Sequence, residues 1–119
     1  MAVRWRLRPE DARAEAAVAY DLLRIVSEAT ANAVRHGGAK VVAVDVELDA
    51  GAVRVTVGDD GRGFAFTGRL DHAALAARNL GSRSLLWRVT GRGGSLAVES
   101  GAEGARLEIV LPRGKETPA

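Results

Sequence analysis

The sequence predicts a two-layer α/β sandwich, in which helices cover one face of a sheet. Two hairpin patterns predict the sheet, because apolar residues alternate with polar or small ones around residues 42–57 and 96–111. Other segments carry apolar residues at three- and four-residue spacing, which is typical of amphipathic helices. Hairpins with one apolar face need helices on that face, so we expect a mixed or antiparallel sheet beneath them.

The first elements are predicted to be a short strand and a long helix. Val3–Leu7 alternates apolar residues with arginines, which predicts a strand with one solvated face. Pro9 and the carboxylates after it resemble a helix start, so we expect helix, in one piece or two, from about Asp11 to His36. Gly37 and Gly38 are typical of its end.

The middle of the chain predicts a hairpin followed by a loop. Apolar residues from Val42 to Leu48 share one strand face, Asp49-Ala50-Gly51 forms the turn, and Ala52–Val57 returns. From Phe64 to Asn79 the periodicity weakens. We expect a mobile loop there, with one helical turn and Phe66 anchoring its start.

The last third predicts a second helix and a second hairpin. The helix is expected from about Ser82 to Thr90, and the hairpin turns at Gly101–Gly104. Pro112 closes the last strand, and residues 113–119 are expected to form a disordered tail. No linker divides the chain, so residues 1–112 are expected to form one domain.

Composition excludes several classes of function. The 17 basic and 15 acidic residues leave a net charge of +2, no Lys/Arg run occurs, and aromatics are 4%. A surface that binds nucleic acid directly is therefore not expected. Without cysteine there can be no disulfide, thiolate metal site or cysteine nucleophile. No apolar run approaches the ~20 residues that span a bilayer, and the charged start is unlike a secretory signal, so a cytoplasmic location is expected.

A row of polar residues on the long helix is the first candidate site. Glu28, Asn32 and His36 are spaced four apart and therefore share one helical face, with Arg35 beside them. An asparagine oxygen is a neutral hard ligand that suits Mg²⁺, and arginine can meet phosphate charge. The alternative is an ordinary solvated helix face.

The second candidate is the segment where a strand ends in Asp59-Asp60-Gly61-Arg62-Gly63. A turn is the ordinary interpretation, since aspartate and glycine both favour turns. A catalytic carboxylate pair is less favoured because no third partner is evident. Alternatively, Asp59 accepts a hydrogen bond from an exocyclic amine such as that of adenine, and rejects ligands without it. The glycine spacing fits neither G-x-G-x-x-G nor a P-loop.

These motifs together resemble a known family. Glu28 to His36, then Asp59 to Phe64, then Gly81 to Arg88 resemble the N, G1 and G2 boxes of the ATP-binding catalytic domain of sensor histidine kinases. These domains belong to the GHKL superfamily and have the Bergerat fold, a mixed sheet covered on one face by helices. The match runs from about Asp21 to Pro112. The N-box region is most similar to the subfamily that signals to helix-turn-helix response regulators.

The resemblance implies roles for single residues on the long helix. Asn32 matches the asparagine that binds Mg²⁺ beside the triphosphate. Glu28 matches an acidic position that handles the metal or a proton, so Glu28 and Asn32 are the implied catalytic residues. Arg35 matches a basic residue near phosphate, and His36 matches a ring beside the nucleotide.

The glycine boxes carry further implied roles. Asp59 matches the adenine-reading aspartate, with Gly61 and Gly63 leaving room near the base, and Asp60 is interpreted as ordinary turn chemistry. Gly81 matches the G2 glycine at the end of an ATP lid that spans about 65–80. Two residues depart from the pattern: Asn79 stands where a glycine is common, and Ser82 where leucine is common.

The implied function is transfer of the γ-phosphate of ATP, with Mg²⁺, to a histidine on an upstream dimerisation domain, followed by signalling to a response regulator. Neither His36 nor His72 has the context of that phosphoacceptor, so we expect a catalytic fragment with little activity alone. The family's usual dimer contacts lie in that upstream domain, so we expect this fragment to be a monomer. The parent is then a cytoplasmic kinase or the cytoplasmic part of a membrane-bound sensor. One alternative is an anti-sigma-factor-like serine kinase or binding regulator on the same fold. Another is a degenerate nucleotide-binding module without transfer activity.

Overall fold

The computed structural model describes residues 2–10, 13–80 and 82–113. Six strands form one mixed sheet with the spatial order β1-β2-β3-β6-β5-β4. Only β1 and β2 run parallel, and the other neighbouring pairs are antiparallel. The strands are β1 Ala2–Arg8, β2 Val41–Leu48, β3 Ala52–Asp59, β4 Gly68–Asp71, β5 Ser95–Gly101 and β6 Gly104–Pro112. The predicted two-layer sandwich with a mixed sheet is confirmed.

Register explains how alternating residues make a core. Val44, Val57, Leu107 and Val98 are direct partners across four strands, so they form one apolar row on one face. A parallel row contains Val46, Val55, Ile109 and Leu96. All eight side chains are buried, and each contributes about 1.5–3 kcal/mol relative to an exposed side chain. The opposite face carries partly exposed charges.

Three helices cover the apolar face. They are α1 Ala16–Arg35, α2 His72–Ala77 and α3 Arg83–Gly91. Helix α1 buries a stripe at helical spacing, and Leu75 of α2 and Leu85 and Val89 of α3 continue the same core. Gly38 at φ +65° follows the end of α1, and the Ala39 amide donates back to the Ala33 carbonyl over 3.0 Å.

The start of the chain differs from its prediction. Strand β1 is present, but all seven of its residues are exposed, so neither face is buried. The reason is its place at the sheet edge, beyond the cover of α1. The long helix is one continuous element that begins at Ala16, later than the predicted start, while Asp11 itself lies outside the described residues.

The segment predicted as a loop is largely regular. Strand β4 pairs with β5, and α2 follows it directly, with Asp71 capping the helix through the Ala74 amide at 2.8 Å. Phe66 is buried and stacks on Phe64 with ring centroids 5.9 Å apart. The prediction of a loop was therefore wrong for strand β4, whereas the expected helical turn is present as α2.

Arg113, the first residue of the predicted tail, is hydrogen-bonded to the rest of the chain. It donates from its amide to the Gly51 carbonyl at 3.1 Å and from its guanidinium to Asp49 and Arg13 carbonyls. The rest of the predicted tail, residues 114–119, lies outside the described residues. In the part of the chain that the structure describes, no helix is long and apolar enough to cross a membrane.

Candidate functional site

A cavity of about 330 Å³ lies between α1, the end of β3, the start of β6 and the start of α3. This volume is within the usual range for small-molecule sites. Most of its wall is apolar, and a few polar side chains enter it. The wall comprises Ala29, Asn32, Ala33, His36, Gly37, Asp59, Gly63, Phe64, Ala65, Leu80, Ser82, Leu85, Ala105 and Leu107.

Strand register places Asp59 in this wall. Val53, Val55 and Val57 point to the helix-covered face, and the period of two brings Asp59 to that same face at the end of β3. The Gly61 amide donates to Asp59 Oδ1 at 2.8 Å, which orients the carboxylate. Among the described residues, none donates a hydrogen bond to Oδ2. Asp59 therefore offers the cavity an acceptor in apolar surroundings.

Asp60 binds the segment at the start of β2, which differs from its expected role in a local turn. Its Oδ1 accepts hydrogen bonds from the amides of Lys40 at 2.8 Å and Val41 at 3.0 Å, which begin β2. The bonds from Val41 and Lys40 hold the pKa of the Asp60 carboxyl below its ordinary value. The interpretation as ordinary turn chemistry was wrong, because Asp60 joins distant segments while Asp59 makes the local turn.

Gly61 and Gly63 allow backbone to approach backbone. A Cβ at Gly61 would lie 2.5 Å from the Gly37 carbonyl oxygen at the end of α1. A Cβ at Gly63, whose φ is +79°, would lie 2.5 Å from the Gly101 carbonyl oxygen. Arg62 between them donates from its amide to Gly37 at 2.8 Å and from its guanidinium to the His36 carbonyl at 3.0 Å. Both glycines thus fix Asp59 against α1 and the last hairpin.

The hairpin of β5 and β6 supplies residues that the sequence analysis missed. Ser100 is buried, and its hydroxyl accepts a hydrogen bond from the Phe64 amide at 2.7 Å. Gly104, at φ +138°, packs so closely on the Asp59 carbonyl that a Cβ would clash. Ala105 and Leu107 add the apolar wall on β6. The sequence signal for this group was Ser100, a polar residue at a position where the alternation of β5 calls for an apolar one.

Helix α1 presents its candidates in different directions. Asn32 and His36 line the cavity. Arg35 instead lines a separate groove between α1 and β1, together with Val3 and Trp5. Glu28 stands beside the cavity and is not part of its wall. The structure therefore brings Asn32, His36, Asp59 and Gly63 together, and it does not bring Arg35 to them.

Glu28 instead connects α1 to the start of α3. Ser82 Oγ donates to Glu28 Oε2 at 3.2 Å, and Ser84 Oγ donates to Glu28 Oε1 at 2.8 Å. Ser82 also caps α3, since its hydroxyl accepts from the Leu85 amide at 3.2 Å. The serine that departs from the family pattern is thus part of a specific contact.

The backbone conformation explains why asparagine can stand at position 79, where the family commonly has glycine. Asn79 is the only described residue other than glycine with a positive φ, at 53°. Asparagine tolerates this left-handed conformation better than most side chains, so it can replace a glycine there. Gly81, the predicted G2 glycine, lies outside the described residues.

The described residues contain no group of three or more His, Cys, Asp or Glu side chains that could hold a metal ion. Asn32 still fits the ordinary pattern for Mg²⁺, which is commonly held by few protein ligands together with waters and phosphate oxygens. Such a site needs an anionic ligand to supply the remaining oxygens and charge.

Comparison with known proteins gives one family and one curated relative. Residues 2–94 match the family described as the histidine kinase-like ATPase domain. The sensor histidine kinase MctS of Rhizobium johnstonii is 34% identical over 99 residues. That match covers 82% of this chain and 20% of the relative. The chain thus spans about one fifth of the length of this curated relative.

Solved structures give the same picture of the fold. The blue-light activated histidine kinase EL346 of Erythrobacter litoralis matches with a TM-score of 0.72 and 25% identity, over 98% of this chain and 37% of that one. The ATP binding domain of PrrB from Mycobacterium tuberculosis matches with a TM-score of 0.62 and 24% identity, over 95% of this chain and 82% of that one. The second likeness concerns the fold alone.

Proposed function

The chain belongs to the family of histidine kinase-like ATPase domains, and we propose that it binds ATP with Mg²⁺ and transfers the γ-phosphate to a histidine on another segment or protein. The observation that carries this proposal is the Asp59 carboxylate. It is oriented by the Gly61 amide in an apolar cavity that Asn32 and His36 border.

Asp59 reads the base in this proposal. An adenine amine would donate to the second carboxylate oxygen of Asp59, and Ala29, Ala105 and Leu107 would supply apolar wall for the ring. Guanine carries a carbonyl oxygen where adenine has the amine. Two acceptors would then face each other in a dry pocket, which costs binding free energy.

Asn32 and His36 mark the other end of the nucleotide. Asn32 would hold Mg²⁺ through its side-chain oxygen, and the ion would neutralise charge on the phosphate oxygens. His36 would lie beside the nucleotide at the end of α1. In such transfers a protein acts mainly by positioning and by charge stabilisation, so the cavity itself supplies most of the catalysis.

The phosphate acceptor is proposed to lie outside the described residues, on a dimerisation domain that brings a histidine to the cavity. A response regulator would then receive the phosphate. His36 belongs to the nucleotide site and His72 begins α2, so neither is proposed as acceptor. The isolated chain is expected to be monomeric and nearly inactive.

Calorimetry with ATP tests the proposal directly. The wild type should bind Mg·ATP and discriminate against GTP. Asp59→Asn should weaken ATP binding by about 10- to 100-fold, because the amide offers a donor where the base also donates and a charged acceptor is lost. Asp45→Asn is the matched control, since Asp45 lies on the exposed face of β2, where it pairs with Arg8. It should bind ATP as the wild type does.

Absence of ATP binding by the folded wild type would overturn the proposal, as would equal affinity for Asp59→Asn. Transfer is tested separately, by incubating the chain and γ-labelled ATP with a dimerisation segment from a sensor kinase. Acid-labile, base-stable label on that segment supports histidine transfer. Acid-stable label on a serine would favour the regulator that phosphorylates serine.

A further inference from the structure

We propose that Glu28 is a positioning residue, which holds the first turn of α3 through Ser82 and Ser84 and so keeps the cavity closed on that side. The proposal rests on the proposed nucleotide function of the cavity. It gives Glu28 a task that differs from handling metal or protons. It also gives a purpose to Ser82, where the resemblance leads one to expect leucine.

The geometry joins two distant parts of the chain at one carboxylate. Each oxygen of Glu28 accepts one hydroxyl, from Ser82 at 3.2 Å and from Ser84 at 2.8 Å. The two serines lie 54 and 56 residues beyond Glu28 in sequence. Hydrogen bonds to a charged acceptor are stronger than those between neutral groups, so this pair can hold the first turn of α3 against α1.

What this contact holds is part of the cavity wall. Leu80, Ser82 and Leu85 line the side of the cavity that faces α1. Just before them, Asn79 has a left-handed backbone conformation, two residues after the end of α2. The hydroxyl of Ser82 serves two bonds at once, because it accepts from the Leu85 amide while it donates to Glu28. Release of Glu28 would therefore loosen the wall without unfolding α3.

A general base must lie within hydrogen-bond reach of the proton that it removes. In this structure both Glu28 oxygens are already bonded to hydroxyls, and the side chain stands outside the cavity wall. Positioning explains both observations.

Ser84→Ala is the cleanest test, because Ser84 is exposed and its removal leaves the Ser82 cap in place. Amide hydrogen exchange of residues 79, 80 and 82–85, measured by mass spectrometry without nucleotide, should become faster. The affinity for Mg·ATP should fall about 3- to 10-fold, as expected for the loss of one solvent-exposed hydrogen bond. The dissociation rate should account for most of that change, and the slope of the urea unfolding transition should stay constant, because the chain still unfolds in one step.

Two further variants separate the contact from a general effect on the helix. Ser84→Thr keeps the hydroxyl and should restore both exchange and affinity. Ser82→Asp keeps a cap for the Leu85 amide but places a carboxylate against Glu28, so it should speed exchange more than Ser84→Ala. Ser27→Ala, the same chemical change on the part of α1 that faces the β1 groove, should change neither quantity.

Unchanged exchange in both Ser84→Ala and Ser82→Asp would overturn the role of Glu28. Failure of Ser84→Thr to restore the wild-type values would also overturn it. These exchange measurements need no nucleotide, so they decide the contact even if the wild type binds no ATP. In that case the proposed function fails, and the exchange rates still show whether Glu28 holds the first turn of α3.

Discussion

The two ends of the cavity are held in different ways. The base end, defined as residues 59–64 with the hairpin of β5 and β6, is held largely through main-chain groups: Asp60 accepts two amides, and the Arg62 amide donates to Gly37. The α3 end, defined as residues 79–85 apart from Gly81, is held by two serine hydroxyls that donate to the carboxylate of Glu28.

This difference predicts different consequences of substitution. Main-chain contacts at the base end exist because glycines let the segments approach, so a new side chain there disturbs the fold itself. Contacts at the α3 end are made by side chains, so their loss should change closure and affinity while the fold persists. A recognition end that is rigid and a closing end that is adjustable suit a site that must admit and release its ligand.

The largest effect should come from Gly63→Ala at the base end. The new methyl group would meet the Gly101 carbonyl oxygen at 2.5 Å and Ser100 Oγ at 2.7 Å, in a conformation at φ +79° that alanine disfavours. We expect the free energy of unfolding to fall by about 3 kcal/mol in urea titration. Gly51→Ala, which has open space around it, should be neutral or stabilising by about 0.5 kcal/mol. Equal stability of the two variants would contradict this prediction, because it would show that the backbone at the base end can shift to make room for a methyl group.

A smaller effect with a distinct pH signature should come from Asp60→Asn. The folded-state pKa of Asp60 is lowered by the Val41 and Lys40 amides, so its carboxylate stabilises the fold above the unfolded pKa of about 3.9. That contribution is lost as the pH falls through the lower folded-state value. Urea titrations from pH 7 down to 2 should show a gap between wild type and variant that closes only below about pH 4.

Asp49→Asn is the matched control for that experiment. Asp49 also has a lowered pKa, because it accepts the Gly51 and Ala52 amides in the turn between β2 and β3. Its variant should show the same pH dependence but bind ATP as the wild type does. Asp60→Asn should weaken ATP binding, since Asp60 anchors the base end. Loss of affinity in both variants would argue that global stability, and not the base end, limits binding.

Most of the fold could be predicted because the sheet is covered on one face. Coverage imposes a period of two, and the strands β2, β3, β5 and β6 show it clearly. Strand β4 was missed because Gly68-Arg69-Leu70-Asp71 offers a single apolar residue at a sheet edge. At the other edge β1 has the alternation, but no helix covers it.

The site was less predictable because two neighbouring aspartates look alike in sequence. Which one makes the local turn depends on the Lys40 and Val41 amides, about twenty residues away along the chain. Similarly, the spacing of Glu28, Asn32 and His36 does not tell that Glu28 is bonded to α3. The roles that the resemblance implies for these residues stay predictions until nucleotide binding is measured.

The smallest effect should come from Arg35→Ala, which tests where the cavity ends. The resemblance implies a phosphate contact, but Arg35 is exposed and lines the groove beside β1. We therefore expect the ATP affinity to change by about 2-fold or less, as for a screened surface charge. His36→Ala, one residue further and in the cavity wall, should weaken binding more. Arg24→Ala, an exposed arginine on the same helix, controls for net charge.

A loss above about 10-fold for Arg35→Ala alone would mean that the side chain swings to the phosphates. In that case the end of α1 would be adjustable, as the α3 end is, and the rigid part of the site would stop at Asp59.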